Sequence, residues 1–296
     1  MVMSGAPKRR AVLIAGPTAS GKSALALARA RESGGIVVNT DAMQVYDVLR
    51  VVTARPSAAE EAQAEHRLYG FVSPSERFST GAWAGAVEKL IQETDRERPL
   101  IFVGGTGLYF EALTNGFAEV PTVPAEVVAE AEKEIQGLDA ENRARLIAER
   151  DPEMARRLRA PDPQRVVRAL AVLKATGRSL ASFQDAAQSG LLEGFEVERV
   201  VLNPDRDVLR ERIARRFETM FDGGAVDEVG ALMAMDLDPA LPAMKAIGVP
   251  EIAAVLAGRM SEDEAIERAI IATRQYAKRQ RTWMRNRMGD WTWIAP

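Results

Sequence analysis

The 296-residue chain contains no cysteine and a single histidine, His66. The first absence excludes disulfides and every cysteine-based zinc, iron–sulfur or redox centre. The second leaves no histidine cluster for a metal, and a lone His66 is expected to be structural rather than catalytic. No apolar run reaches the length that crosses a bilayer, so no membrane partner is expected. There is no internal repeat and no low-complexity tract. Nor is one charge in large excess: the formal net charge is −3, so any nucleic-acid surface must come from a local concentration of basic residues. Lys8, Arg9 and Arg10 lead straight into an apolar run without a signal-peptide pattern, and a cytoplasmic enzyme is expected. With 47% hydrophobic residues, the chain can bury a sizeable core in one large domain or two unequal ones.

What the chain does have is Gly16-Pro17-Thr18-Ala19-Ser20-Gly21-Lys22-Ser23, which fits G-x-x-x-x-G-K-[ST] at every fixed position. The apolar run Ala11 to Ala15 precedes it and a helix-forming run from Ala24 to Arg31 follows, the strand–loop–helix setting the motif needs. In that setting successive backbone N–H groups converge on a concavity at a helix N-terminus, a site for phosphate. Lys22 adds a mobile positive charge, and the Ser23 hydroxyl can help hold Mg²⁺. A diphosphate or triphosphate ligand is expected.

After a helix stop at Gly34-Gly35, Ile36-Val37-Val38 reads as a buried strand that delivers Asn39-Thr40-Asp41-Ala42-Met43-Gln44 to the same end of a parallel sheet. Asp41 there has three readings: general base, Mg²⁺ ligand or helix N-cap. Ser57-Ala58-Ala59-Glu60 has the form of a capping box. A helix is expected over 82–97, ending at Pro99, followed by the strand Leu100-Ile101-Phe102-Val103. In many ATPases such a strand ends in a magnesium-binding aspartate. This one ends in Gly104-Gly105-Thr106-Gly107, which offers backbone amides and a hydroxyl, or simply a tight turn.

From Glu126 to about Gln188 the pattern is helical and charged, with no convincing strand. Asp162-Pro163 reads as an N-cap with proline at the first helical position, and Gly177 as a stop. Arg143, Arg145, Arg156, Arg157, Arg159, Arg165, Arg168 and Arg178 fall in this segment, as a solvated face or as phosphate contacts for a nucleic acid. Val197 to Leu202 restores a strand. A helix over 205–220 carries Arg212 and Arg216 on one face, and a second capping box at Ser261 opens a helix to about Arg287. Arg274, Lys278, Arg281 and Arg285 form a basic stripe on it. Trp283, Trp291 and Trp293 lie nearby, as packing residues or as stacking partners for bases.

Taken together, GPTASGKS (16–23), TDAMQVY (40–46), PLIFVGGTGLYFEAL (99–113), DPQRVVRAL (162–170), AIG (246–248) and TRQYAKRQRTW (273–283) resemble the bacterial tRNA dimethylallyltransferases, or tRNA isopentenyltransferases, in order and across nearly the whole chain. The resemblance implies an α/β fold: a P-loop NTPase-like parallel sheet flanked by helices, formed by 1–120 and 191–296, with an all-helical insertion at 121–190 that grips the tRNA anticodon stem-loop. It implies transfer of a dimethylallyl group from dimethylallyl diphosphate to N6 of the adenosine 3′-adjacent to the anticodon, with Mg²⁺ as cofactor and a monomer as the working unit. Carried over by position, Asp41 is the general base, and Thr106 and Arg216 stabilise charge on the diphosphate. Gly16 through Ser23 (Gly16, Pro17, Thr18, Ala19, Ser20, Gly21, Lys22, Ser23) hold it, with Ser23 near the metal. Asp41, Ala42, Met43, Gln44, Thr106, Val128, Gln164, Arg165, Val166, Val167, Arg168, Lys245, Ala246, Ile247, Gly248, Val249 and Pro250 match tRNA-contacting positions. Relatives often have Ser-Asp-Ser at 40–42 and a glycine at Val52, and some carry an arginine at Val128. A small-molecule P-loop kinase, an enzyme prenylating free adenosine phosphates and a non-catalytic tRNA-binding protein are the competing readings.

Overall fold

The computed structural model describes residues 8–118, 120–158, 161–186 and 189–296. The described residues fall into two compact units: the chain up to Thr114 together with Leu191–Pro296, and Asn115–Gly190. Arg159 and Gln188, which the sequence reading places in the helical segment, lie outside the described residues.

The larger unit is built on a sheet of six strands in the order β3-β2-β4-β1-β5-β6. These are β1 (Arg10–Ala15), β2 (Ile36–Asn39), β3 (His66–Arg67), β4 (Leu100–Gly104), β5 (Glu196–Leu202) and β6 (Thr292–Ile294). Every pairing is parallel. The central strands read as unbroken apolar runs because helices cover both faces of a parallel sheet. All of β4 is buried, and Leu13, Ile14, Ile36, Val38, Ile101 and Phe102 are almost wholly inaccessible. Registers pair Ala15 with Gly104 and with Val201, and Asn39 with Val103. The C-terminal ends of β1, β2 and β4 therefore meet at one edge, where the loops that follow them converge. The expected P-loop sheet is the observed one.

Local signals set most boundaries. Gly34 ends helix Lys22–Ser33 in the left-handed conformation, and Ser57 with Glu60 forms a complete capping box. The helix expected over 82–97 is observed as Thr80–Glu93; Thr94 turns extended and caps it, and its hydroxyl donates to the Leu90 carbonyl. The short strands β3 and β6 carry too few residues to show a period of two, and the sequence reading did not find them.

The smaller unit is helical, with helices at Ala125–Ile135, Ala140–Arg150, Pro152–Arg157, Pro163–Thr176 and Leu180–Gln184. Its core gathers Ala131, Ile147, Met154, Val166, Leu170 and Ala181. Asp162 caps its central helix, Pro163 starts it and Gly177 stops it, as the sequence indicates.

Candidate active site

The phosphate loop leaves β1 at Gly16 and ends where helix Lys22–Ser33 begins. Ala19 is held at φ 63°, a left-handed conformation that costs a residue with a Cβ about 1 kcal/mol. The loop is braced from two distant helices. The Gln280 Oε1, on helix Glu262–Arg287, accepts from the Thr18 N–H at 2.9 Å, and an Arg212 guanidinium N–H reaches the Ser20 carbonyl at 3.5 Å. Lys22 donates to the Pro17 carbonyl at 3.3 Å. Burial, together with the positive charge of Arg216, lowers its pKa from 10.5 to about 8 against the opposing pull of Asp41. Arg216 is lowered likewise by burial, and Asp41 again opposes the shift. Lys22 and Arg216 thus form a cationic pair opposed by the Asp41 carboxylate, an arrangement suited to a polyanion.

Asp41 arrives on the loop after β2. Asn39 is fully buried and pins this loop: its Oδ1 accepts from the Asp41 N–H at 2.9 Å, while its Nδ2 donates to the Asp41 and Leu68 carbonyls. The Asn39 carbonyl accepts from the Trp83 indole at 3.0 Å, and Trp83 stacks on Tyr109 at 4.1 Å. One Asp41 oxygen, Oδ1, accepts from the Met43 N–H at 3.0 Å. No donor from the described residues meets Oδ2. Thr106 uses its hydroxyl to accept from the Ala42 N–H at 2.9 Å, and its own N–H donates to Thr40. Burial first, and Asp41 second, raise the pKa of the Tyr276 hydroxyl.

These loops enclose a cavity of about 350 Å³. Thr18, Ala19, Lys22, Ser23 and Arg216 line its polar end, and Asp41 through Gln44 line it beyond. Val52, Phe217, Met220, Ala246 and Ile247 give it an apolar wall. Thr273, Tyr276 and Arg279, from helix Glu262–Arg287, also line it. The loop carrying Val52 is fixed by Glu228, whose carboxylate accepts from the N–H groups of Arg50, Val51 and Val52. Gln44 donates its amide to the Thr53 and Ala54 carbonyls at 2.8 and 2.9 Å, so it also braces that loop.

The other expected positions are placed as follows. Lys245 lines the cavity, Gly248 turns at φ 102°, and Val249 is buried where helix Val249–Leu256 starts with Pro250 exposed beside it. In the helical unit Val166 is buried and Val128 packs against the same core, whereas Gln164, Arg165 and Arg168 are exposed. Among the described residues neither Arg165 nor Arg168 has an ion-pair partner. Arg143 instead donates to the Leu138 and Pro161 carbonyls, and Arg157 pairs with Asp185 and Glu153. His66 hydrogen-bonds the Ala64 carbonyl and meets Tyr69 edge-on. The tryptophans pack: Trp283 lies where a Cβ on Gly107 would be, Trp291 meets Phe110 edge-on, and the Trp293 indole donates to the Met288 carbonyl. The basic stripe Arg274, Lys278, Arg281 and Arg285 does form one wall of a groove of about 850 Å³, faced by Arg206 and Arg210.

No cluster of three or more acidic or histidine side chains among the described residues could cage a metal. The Ser23 hydroxyl, exposed in the cavity beside Lys22, is a hard oxygen donor on the loop, which fits a magnesium ion held mostly by ligand phosphate oxygens and water.

A parallel sheet with this loop at its carboxyl edge, opening onto a partly apolar cavity, defines a P-loop fold with a candidate phosphate site. Residues 44–287 match the family described as IPP transferase. The chain belongs to that family. It is 54% identical over 283 residues to a protein of Chelativorans sp. strain BNC1 named tRNA dimethylallyltransferase, covering 95% of this chain and 97% of that protein. The protein of the same name from Agrobacterium fabrum is 52% identical over 295 residues, covering 97% of each. Among solved structures, the tRNA isopentenylpyrophosphate transferase of Bacillus halodurans is 31% identical with a TM-score of 0.68, over 97% of this chain and 90% of that one. A eukaryotic dimethylallyltransferase acting on tRNA is 25% identical with a TM-score of 0.81, over 97% and 74%.

Proposed function

We propose that this chain carries out its family's transfer of a dimethylallyl group to tRNA, with dimethylallyl diphosphate as donor and N6 of the adenosine 3′-adjacent to the anticodon as acceptor. The observation that carries the residue roles is the placing of Lys22, Ser23, Arg216 and Asp41 around one cavity that Val52, Phe217, Met220, Ala246 and Ile247 also line. The diphosphate takes the loop, where backbone N–H groups, Lys22 and Arg216 meet its charge. The five-carbon chain takes the apolar wall. The adenine amine attacks the allylic carbon, the carbon–oxygen bond to diphosphate breaks, and the N6 proton passes to Asp41 Oδ2. Thr106 acts through the chain: by fixing Ala42 it orients Asp41, and it lies where the resemblance puts a diphosphate contact. Ser23 would hold Mg²⁺, which when bound would add to the neutralisation of the leaving group. Chemistry on a base edge requires the nucleotide to leave its stack. Gln164, Arg165 and Arg168 of the helical unit, and the basic groove along Arg274, Lys278, Arg281 and Arg285, are suited to holding the surrounding phosphates. The working unit is proposed to be a monomer in the cytoplasm; among the described residues no helix is long and apolar enough to cross a membrane.

The test is mass spectrometry of nucleosides from unmodified tRNA incubated with protein, Mg²⁺ and dimethylallyl diphosphate. An adenosine heavier by one five-carbon prenyl unit is expected with the prenyl donor and absent when ATP replaces it. Asp41→Ala is expected to lower kcat by about 100-fold or more, with tRNA affinity kept. Near-normal turnover in that variant would remove Asp41 from the base role.

A further inference from the structure

We infer that Gln280 is a positioning residue that sets the register between the phosphate loop and the arm carrying Asp41. The inference rests on the function proposed above, and its geometry stands apart from that function. Gln280 is only 5% exposed and projects from helix Glu262–Arg287 between two turns that follow different strands. Its Oε1 accepts from Thr18 N–H at 2.9 Å, and its Nε2 donates to the Gly105 carbonyl at 3.1 Å. The partners fix the orientation of the amide, since an N–H needs an oxygen and a carbonyl needs an N–H. The approach is so close that a Cβ on residue 105 would lie 2.0 Å from Nε2, so only glycine leaves room.

The connection continues. Gly105 is followed by Thr106, whose hydroxyl accepts from the Ala42 N–H beside Asp41. One side chain thus joins the loop assigned to the leaving diphosphate to the loop assigned to the base, along Thr18, Gln280, Gly105, Thr106 and Ala42. Prenyl transfer places these two groups on opposite sides of the reacting carbon, so the spacing of the loops decides whether the amine lies in line with the breaking bond. A shift of about 1 Å in such a site costs on the order of 100-fold in rate. Methionine fills the space and neither accepts nor donates there, while an ionised glutamate accepts from Thr18 but sets an oxygen against the Gly105 carbonyl.

Two variants and two readouts test this. Gln280→Met is expected to raise KM for dimethylallyl diphosphate and lower kcat by about 100-fold together, with the Kd for tRNA within about twofold of the parent chain. Without any ligand, amides at 16–20 of this variant are expected to exchange with solvent at least about tenfold faster. Gln280→Glu carries its own signature. Once protonated, its carboxyl regains a donor toward Gly105, so its kcat deficit should shrink as pH falls from 8 to 5.5, whereas Gln280→Met should keep its deficit throughout. A Gln280 that only supports folding predicts a lower Tm in both variants, with unchanged KM and pH profile in the folded fraction. A folded Gln280→Met with parental kcat and parental exchange at 16–20 overturns the inference. If the parent chain transfers no prenyl group, the proposed function falls, and the exchange experiment alone still decides whether Gln280 holds the loop.

Discussion

Glu228→Ala probes how the cavity wall is held. In the parent chain one carboxylate accepts from three consecutive N–H groups: those of Arg50, and of Val51 and Val52 at 2.8 Å each. Hydrogen bonds to a charged partner are worth about 1.5–3 kcal/mol each when one side is deleted. The site is half-exposed, so water replaces part of what is lost, and three bonds to one group are not additive. The expected cost is therefore about 2–4 kcal/mol rather than the full sum. The Val52–Ala54 segment lines the cavity, so loosening it should also raise KM for tRNA more than it changes pyrophosphate affinity. The assay is urea denaturation of parent and variant followed by tryptophan fluorescence, fitting the larger unit's transition by itself. Glu228→Gln keeps the volume and one accepting oxygen, but turns an NH₂ toward N–H groups, and should recover no more than about half the loss. A cost below about 0.5 kcal/mol for Glu228→Ala, or a Glu228→Gln variant as stable as the parent, would refute the argument, because charge and acceptance at this nest would then contribute nothing.

Three further outcomes are expected. Because diphosphate binding needs the Lys22 ammonium and its pKa lies at about 8, kcat/KM for the prenyl donor should fall as pH rises through 8, and Lys22→Ala should lack that limb at a lower overall level. Stability moves the other way: between 8 and 10.5 the folded chain binds fewer protons at Lys22 than the unfolded chain, so unfolding free energy gains with pH across that window, as a pH series of melts would show. Gly105→Ala forces a Cβ to 2.0 Å from Gln280 Nε2 and should destabilise by about 1–3 kcal/mol while raising KM for the donor; a neutral variant would mean Gln280 moves aside freely. Replacing 115–190 with a short Gly-Ser link should leave a folded core that still binds pyrophosphate with Mg²⁺ but has lost most of its tRNA affinity. The ends already meet, since Leu191 and Leu192 donate to the Ala112 and Leu113 carbonyls. Undiminished tRNA turnover in the excised chain would assign RNA binding elsewhere.

The parts of this molecule legible from sequence are those where chemistry repeats locally. A phosphate loop is read from eight contiguous residues because its function is a backbone shape set by its own glycines and the helix after it. The buried strands are read from apolar runs, and helix ends from Ser57, Asp162 and Gly177. What sequence did not reveal is how distant side chains hold these loops in place. Gln280 and Thr18 are separated by 262 positions, Glu228 and Val52 by 176, and each contact joins a side chain to backbone N–H. Backbone partners carry no residue signature, so such a clamp leaves no pattern at the position it holds. It leaves one only where it crowds a neighbour, as at Gly105, which reads from sequence as a backbone amide offered to a ligand or a tight turn and is also the space left for the Gln280 amide. Gln44, expected from the resemblance to contact tRNA, lines the cavity and gives both amide protons to the carbonyls of Thr53 and Ala54, which leaves its Oε1 to face a ligand. In a P-loop transferase the reacting groups are few and local, while the distances between them are set by residues far away in the chain. Those distances are what separates a site that holds diphosphate from one that also transfers what the diphosphate carries.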